Sequence, residues 1–369
     1  MKKGAFAAMI LSAAVAWGQP ASVQTDNFTK NFKLYKEIAT GIDFYSGSKA
    51  DVAPFEKAVK TARDRLATFL GHDLARGAVV ICSSLAQRDS VSESRVLRMG
   101  YGWVLIELTP EASTQQMIAR IKAQSNGEES AGRLERLLNR TPEMKAAGEA
   151  RLVNSVVQRM GYAILTTTLA PDKPYRISRA DDVGRSLLPD WLDVGIASYA
   201  AGGAGVNLRM LKDRLDEAFP LEDVFAMSRP FVAPGEGGGG GGGAVFVMRE
   251  GPQGGGSGSG APPGAQGGGQ GRGGGMNLPK DVQDRMMFDA QASSFFAFAA
   301  EKMGLEKVKR LVEESRSGKV PDQLLTQQDM LGKDLGKIEE DWRAWVKEQK
   351  VEGPPGGFRV TTSPGRPPG

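Results

Sequence analysis

The stretch that decides the fold is LPDWLDVGIASY, residues 188–199. Pro189 stands where the first turn of a helix accepts a proline, and the glycine pair 202–203 follows where a helix would end. We therefore predict a helix from about Pro189 to Ala201.

Helical patterns also precede this stretch. Apolar residues recur at helical spacing in three successive segments between Pro110 and Pro171. The segments contain Met117, Ile121 and Gln124, then Leu134, Leu137 and Leu138, and then residues 144–169. The last of them should form a long helix that ends before the prolines at 171 and 174.

The N-terminal part predicts strands packed with one helix. A short β-like segment lies at residues 32–34, and the apolar runs 78–82 and 103–108 are rich in β-branched or large side chains. Between them, residues at helical spacing predict one buried helical face: Phe55, Val59, Ala62, Leu66 and Phe69. Together these patterns predict an α+β fold, with a strand-rich N-terminal part and a mainly helical remainder.

Downstream, residues 235–275 are about half glycine, which predicts a disordered insertion. Helical periodicity returns at Asp281 and continues from Leu305 to Arg316 and from Leu335 to Gln349. Residues 351–369 form a Pro/Gly-rich tail that we expect to be disordered. The predicted organisation is one domain, residues 24–234 and 276–350, interrupted by the insertion.

The N-terminus predicts export. Lys2 and Lys3 precede an apolar run that is too short to cross a bilayer, and Ala16 and Gly18 stand where a signal peptidase reads small residues. We expect residues 1–18 to be a signal peptide. The mature protein is then periplasmic or secreted, without a membrane span.

Composition argues against several functions. The chain has 369 residues and a net charge of +4, with acidic and basic side chains interleaved, so nucleic acid is not an expected partner. The single cysteine, Cys82, excludes an intramolecular disulfide. The single histidine, His72, excludes a histidine pair within one chain, and no G-x-S-x-G motif accompanies it.

Two segments resemble the peptidase MA-like family, within the gluzincin metallopeptidases. Residues 188–199 resemble the family's PxWLxEGxAxY helix, and residues 289–346 resemble the helices of its C-terminal end. The positions of the first motif that this chain retains are Trp191, Leu192, Gly195, Ala197 and Tyr199. The resemblance covers most of residues 27–347 apart from the insertion, and it implies a zincin-like fold.

The same resemblance implies where zinc would bind, and those positions are degenerate. The glutamate of the family helix is the third zinc ligand, and Val194 stands in its place. An HExxH motif is also needed, because its spacing puts two imidazoles on one helix face with a glutamate beside them as general base. One frame puts Asn154, Ser155 and Gln158 at those positions, and a second frame uses residues 158–162. Neither frame supplies a histidine or a general base, so we expect no catalytic residue, no zinc and no other cofactor.

Three functions remain open at this point. The first is a non-catalytic peptidase-like pseudoenzyme that binds a peptide or protein partner. The second is an active hydrolase with a zinc-free site, using Tyr162 or a charged pair of Arg159 and Asp193. The third is a cell-envelope spacer whose functional parts are the insertion and the tail. The acidic groups at 181–182 and 339–341 are expected on solvated surface.

Overall fold

A computed structural model describes residues 32–39, 41–71, 73–123, 132, 142–171, 186–202, 208–230 and 280–350. Within these ranges the fold is α+β, with one sheet and a majority of helices. The strands are β1 Lys33–Ala39, β2 Ile42–Ser46, β3 Gly77–Cys82 and β4 Trp103–Leu108. The helices of the first half are α1 Lys49–Leu70, α2 Leu85–Asp89, α3 Glu93–Leu97, α4 Pro110–Ala123 and α5 Pro142–Leu169. Those that follow are α6 Asp190–Ala200, α7 Leu208–Asp213, α8 Leu221–Ala226, α9 Lys280–Met303, α10 Leu305–Arg316, α11 Pro321–Leu325 and α12 Leu335–Glu348.

Several predicted features lie outside the described residues. They are the signal peptide, the glycine-rich insertion, the C-terminal tail, His72, the segment with Leu134, Leu137 and Leu138, and the acidic pair 181–182. Among the residues that are described, no helix is both long and apolar enough to cross a membrane.

The sheet is mixed and has the strand order β1-β2-β3-β4. β1 and β2 are antiparallel, whereas β2, β3 and β4 run parallel to one another. The parallel β2–β3 connection contains α1, as a crossover of this kind requires. Strands were predicted at 78–82 and 103–108, and both predictions are confirmed by β3 and β4.

Helix α1 forms where local signals and periodicity agree. The Ser48 side chain accepts a hydrogen bond from Ala50 N at the N-terminus, and Gly71 ends the helix with a φ of 84°. The predicted apolar face is buried in full, with Phe55 and Leu66 at 0% exposure, and it packs on one face of the sheet. This part of the prediction is confirmed.

The other face of the sheet carries a smaller apolar cluster, which contains Cys82. Val80, Val104 and Leu108 share this face, and helices α2 and α3 pack against it. Burial raises the pKa of the Cys82 thiol to about 12. Cys82 is therefore a neutral, buried thiol, as expected from its apolar run.

Strand β2 was not predicted, because its sequence places Asp43 in a buried strand. The Asp43 carboxylate accepts hydrogen bonds from Arg76 Nη2 at 2.5 Å and from the Tyr101 hydroxyl at 2.6 Å. The Tyr101 hydroxyl also lies 2.8 Å from that of Tyr45, and burial raises its pKa. These long-range partners compensate the buried charge.

The second half of the chain packs its helices around α6 and α9. The predicted helices at Pro189–Ala201, Leu305–Arg316 and Leu335–Gln349 are confirmed by α6, α10 and α12 to within two residues at each end. The short helices α7, α8 and α11 were not predicted. Arg65 of α1 donates to the carbonyls of Tyr199 and Ala200 at the C-terminus of α6, which fixes α6 against α1.

One surface prediction was wrong. Glu339 was expected on a solvated helix face, but it is half-buried. Its carboxylate accepts from Leu221 N at 2.9 Å and from Arg343 Nε at 2.8 Å. Glu339 therefore satisfies an otherwise unpaired amide at the first turn of α8.

Candidate functional site

Helices α5, α6 and α9 meet at close range, and we call this meeting point the helix junction. A Cβ added at Gly161 of α5 would lie 3.0 Å from the Ala197 Cα of α6. A Cβ added at Gly195 would lie 2.6 Å from the Phe296 Cβ of α9. Both glycines are required because a side chain would push the helices apart.

A chain of neutral polar side chains crosses the helix junction. Gln158 Nε2 on α5 donates to the Tyr162 hydroxyl at 3.2 Å and to Ser198 Oγ on α6 at 3.0 Å. A hydrogen bond of 2.7 Å joins Ser198 to Ser293 on α9, and Ser293 lies 2.6 Å from the Asp289 carbonyl oxygen. We call Tyr162, Gln158, Ser198 and Ser293 the polar chain.

Charged groups flank this polar chain on one side. Arg229 donates to both carboxylate oxygens of Asp289, from Nε at 2.6 Å and from Nη2 at 2.5 Å. Its backbone N–H donates to Asp190 Oδ2 at 2.8 Å, so the segment after α8 is tied to both α6 and α9. Burial raises the pKa of the Tyr162 hydroxyl, Arg229 opposes the rise, and Asp289 adds to it. Tyr162 is therefore a neutral phenol at physiological pH.

The retained motif positions on α6 are packing residues. Trp191 packs against Phe225 and Phe295 with ring centroids 4.7 and 5.6 Å away, and the Tyr199 ring packs against Phe296 at 5.6 Å. Leu192 and Ala197 are fully buried. These contacts hold α6 between its neighbours.

The degenerate metal positions divide into two groups. Val194 is fully buried on α6, one turn before Ser198. Gln158 belongs to the polar chain, together with Tyr162, so the hydrogen bonds use the two ends of the second HExxH frame. Asn154 and Ser155 are half-buried on α5, and their side chains make no hydrogen bond with the described residues.

The suggested pair of Arg159 and Asp193 has other partners. Arg159 Nη2 donates to Glu107 Oε2 of β4 at 2.6 Å. Asp193 Oδ1 accepts from the Ser186 hydroxyl at 2.5 Å. Arg159 therefore links α5 to the sheet, whereas Asp193 fixes the segment that leads into α6.

Sequence reasoning missed Glu107, Ser198, Ser293 and Arg229. Glu107 had a signal, since it is the only charged residue in the apolar run 103–108. The serines had none, because each lies in an ordinary helical pattern and meets its partner only in the folded protein.

The residues at the helix junction do not fit a zinc ion. Zinc ligands are imidazoles, thiolates and carboxylates, whereas the positions implied for them hold an amide, a phenol with a raised pKa and the alkyl group of Val194. Among the described residues, no group of three His, Cys, Asp or Glu is placed to hold a metal. Comparison with family models, curated proteins and solved structures gives no match.

Proposed function

We propose that this protein is an exported pseudo-metallopeptidase, with a zincin-like scaffold that binds a peptide or protein without cleaving it. The observation that carries the proposal is the polar chain. Gln158, which stands at a position that the resemblance assigns to metal chemistry, forms a neutral hydrogen bond to Ser198, and Ser198 is bonded in turn to Ser293 at the helix junction.

Binding is attributed to the half-buried stripe on α5 formed by Asn154, Ser155 and Gln158. Its amides and hydroxyl offer both donors and acceptors without a net charge. That combination suits a peptide backbone, which also presents alternating N–H and C=O groups. Asn154 and Ser155 are half-buried, so part of each residue stays accessible to a ligand.

Metal content and proteolysis test the non-catalytic half of the proposal. The protein, purified without chelator, should contain far less than one zinc per chain by mass spectrometry. It should not cleave a mixed peptide library, with or without added zinc. Stoichiometric zinc together with proteolysis that a chelator abolishes would contradict the proposal.

Peptide binding tests the other half. The double variant Asn154→Ala/Ser155→Ala removes two ligand hydrogen bonds at about 1 kcal/mol each, so affinity for peptides selected from a library should fall by about tenfold or more. Thermal stability should not change, because these side chains have no described partner. Gln115→Ala, at an exposed glutamine of α4, is the matched control and should bind like the wild type. Equal affinity of the double variant and the wild type would show that the stripe on α5 is not the peptide-binding surface.

A further inference from the structure

A second polar contact, away from the polar chain, joins the sheet to α5. Glu107 lies near the end of β4 with 5% of its surface exposed, and its Oε2 accepts one hydrogen bond from Arg159 Nη2. The exposed fraction of the side chain is 7% for Glu107 and 23% for Arg159. This contact serves no part of the function proposed above.

Two atoms of this contact have no hydrogen-bond partner in the part of the chain that the structure describes. Glu107 Oε1 and Arg159 Nε are both sealed from solvent and both unpaired. An ionised carboxylate can accept about four hydrogen bonds, and this one receives a single bond. Burying an unpaired oxygen costs more free energy in a charged carboxylate than in a neutral carboxyl group, so the burial of Oε1 favours the protonated form of Glu107 over the charged form.

The surrounding charges lead to the same conclusion. Burial raises the pKa of Glu107, and the positive charges of Arg159 on α5 and Arg88 on α2 lower it without cancelling the rise. The Cys82 thiol on β3 is neutral. Helices α2, α3 and α4 also pack against β4, and their other charged residues with described side chains are Asp89, Glu93, Arg95, Glu111 and Lys122.

We propose that Glu107 is a proton-operated latch between β4 and α5: the protonated carboxyl holds the two elements together, and loss of the proton favours their separation. When the contact opens, Glu107 and Arg159 reach water and their unpaired atoms become hydrated. The closed state binds the proton more tightly than the open state, so rising pH must shift the balance toward opening. The same turn of α5 carries Gln158, which would move with it.

Hydrogen exchange of the full-length protein tests the latch. Exchange of amides in residues 142–169 is compared between wild type and Glu107→Gln at matched pH, so that the intrinsic pH dependence of exchange cancels. The ratio of rates, wild type over variant, should be near one at about pH 4.5. It should rise at higher pH, roughly tenfold for each unit by which burial raises the carboxyl pKa.

A control and a second measurement keep the test decisive. Glu314→Gln removes a carboxyl whose pKa is lowered by Arg310 and Lys319, and it should leave exchange in residues 142–169 unchanged. Carbon NMR of the wild-type carboxyls should show one glutamate that titrates above the ordinary range. A pH-independent ratio, or no such glutamate in the wild type, would overturn the latch.

Discussion

Arg159→Met is expected to lower the free energy of unfolding by about 3 kcal/mol at neutral pH. Arg159 donates the single hydrogen bond that the Glu107 carboxyl accepts from the described residues, and leaving a buried acceptor without its partner costs roughly 1–3 kcal/mol, more where the acceptor is charged. The upper end applies because only 7% of the Glu107 side chain is exposed. Urea unfolding at about pH 7.5 measures the loss.

The pH dependence of this loss identifies its cause. Burial raises the pKa of Glu107, and the variant also lacks the arginine charge that lowers it. A raised pKa in the folded protein gives stability that is complete below the ordinary value of 4.5 and is lost as the pH rises. The defect of Arg159→Met should therefore shrink as the pH falls toward 4.5. Adding Glu107→Gln to Arg159→Met should restore most of the lost free energy of unfolding at neutral pH. If the double variant is as unstable as Arg159→Met alone, Glu107 is not the cause of the loss.

Gly195→Ala is expected to destabilise the protein by about 1–3 kcal/mol, the range measured for overpacked cores. The new methyl group would lie 2.6 Å from Phe296 Cβ, which is fixed to the backbone of α9 and cannot rotate away. Alanine favours a helix over glycine by about 1 kcal/mol, so a net loss means that the steric effect exceeds this gain.

A matched glycine tests that reasoning by thermal unfolding. A Cβ at Gly102 would meet its nearest atoms at 3.5 Å, an ordinary contact, and Gly102→Ala should change the melting temperature little. If Gly195→Ala melts at or above the wild-type temperature, α6 and α9 do not approach as closely as described.

The parts of the fold that could be predicted are those whose sequence pattern lies within a single segment of the chain. The helical face from Phe55 to Phe69 and the apolar runs of β3 and β4 could be recognised because each is repeated within one segment. Strand β2 could not, since Asp43 is tolerated there only through Arg76 and Tyr101, which are distant in sequence.

For the candidate site, the sequence indicated which positions correspond to the family's metal site but not which side chains bond to one another. The sequence offered two frames for the HExxH segment, and periodicity alone did not distinguish them. Hydrogen bonds in the folded chain join Gln158 to Tyr162 and, 40 residues away in sequence, to Ser198. Glu107 and Arg159 are likewise 52 residues apart in sequence, so neither residue indicated the other as its hydrogen-bond partner.

The buried thiol of Cys82 allows local opening of the sheet to be measured in the unmodified protein. It is the only cysteine, it is fully buried on β3, and its pKa of about 12 leaves almost no thiolate at neutral pH. A thiol-specific reagent can therefore modify native protein only while the sheet is open at that strand. One unmodified chain thus reports the frequency of that event by its labelling rate, with no engineered residue and no background from a second cysteine.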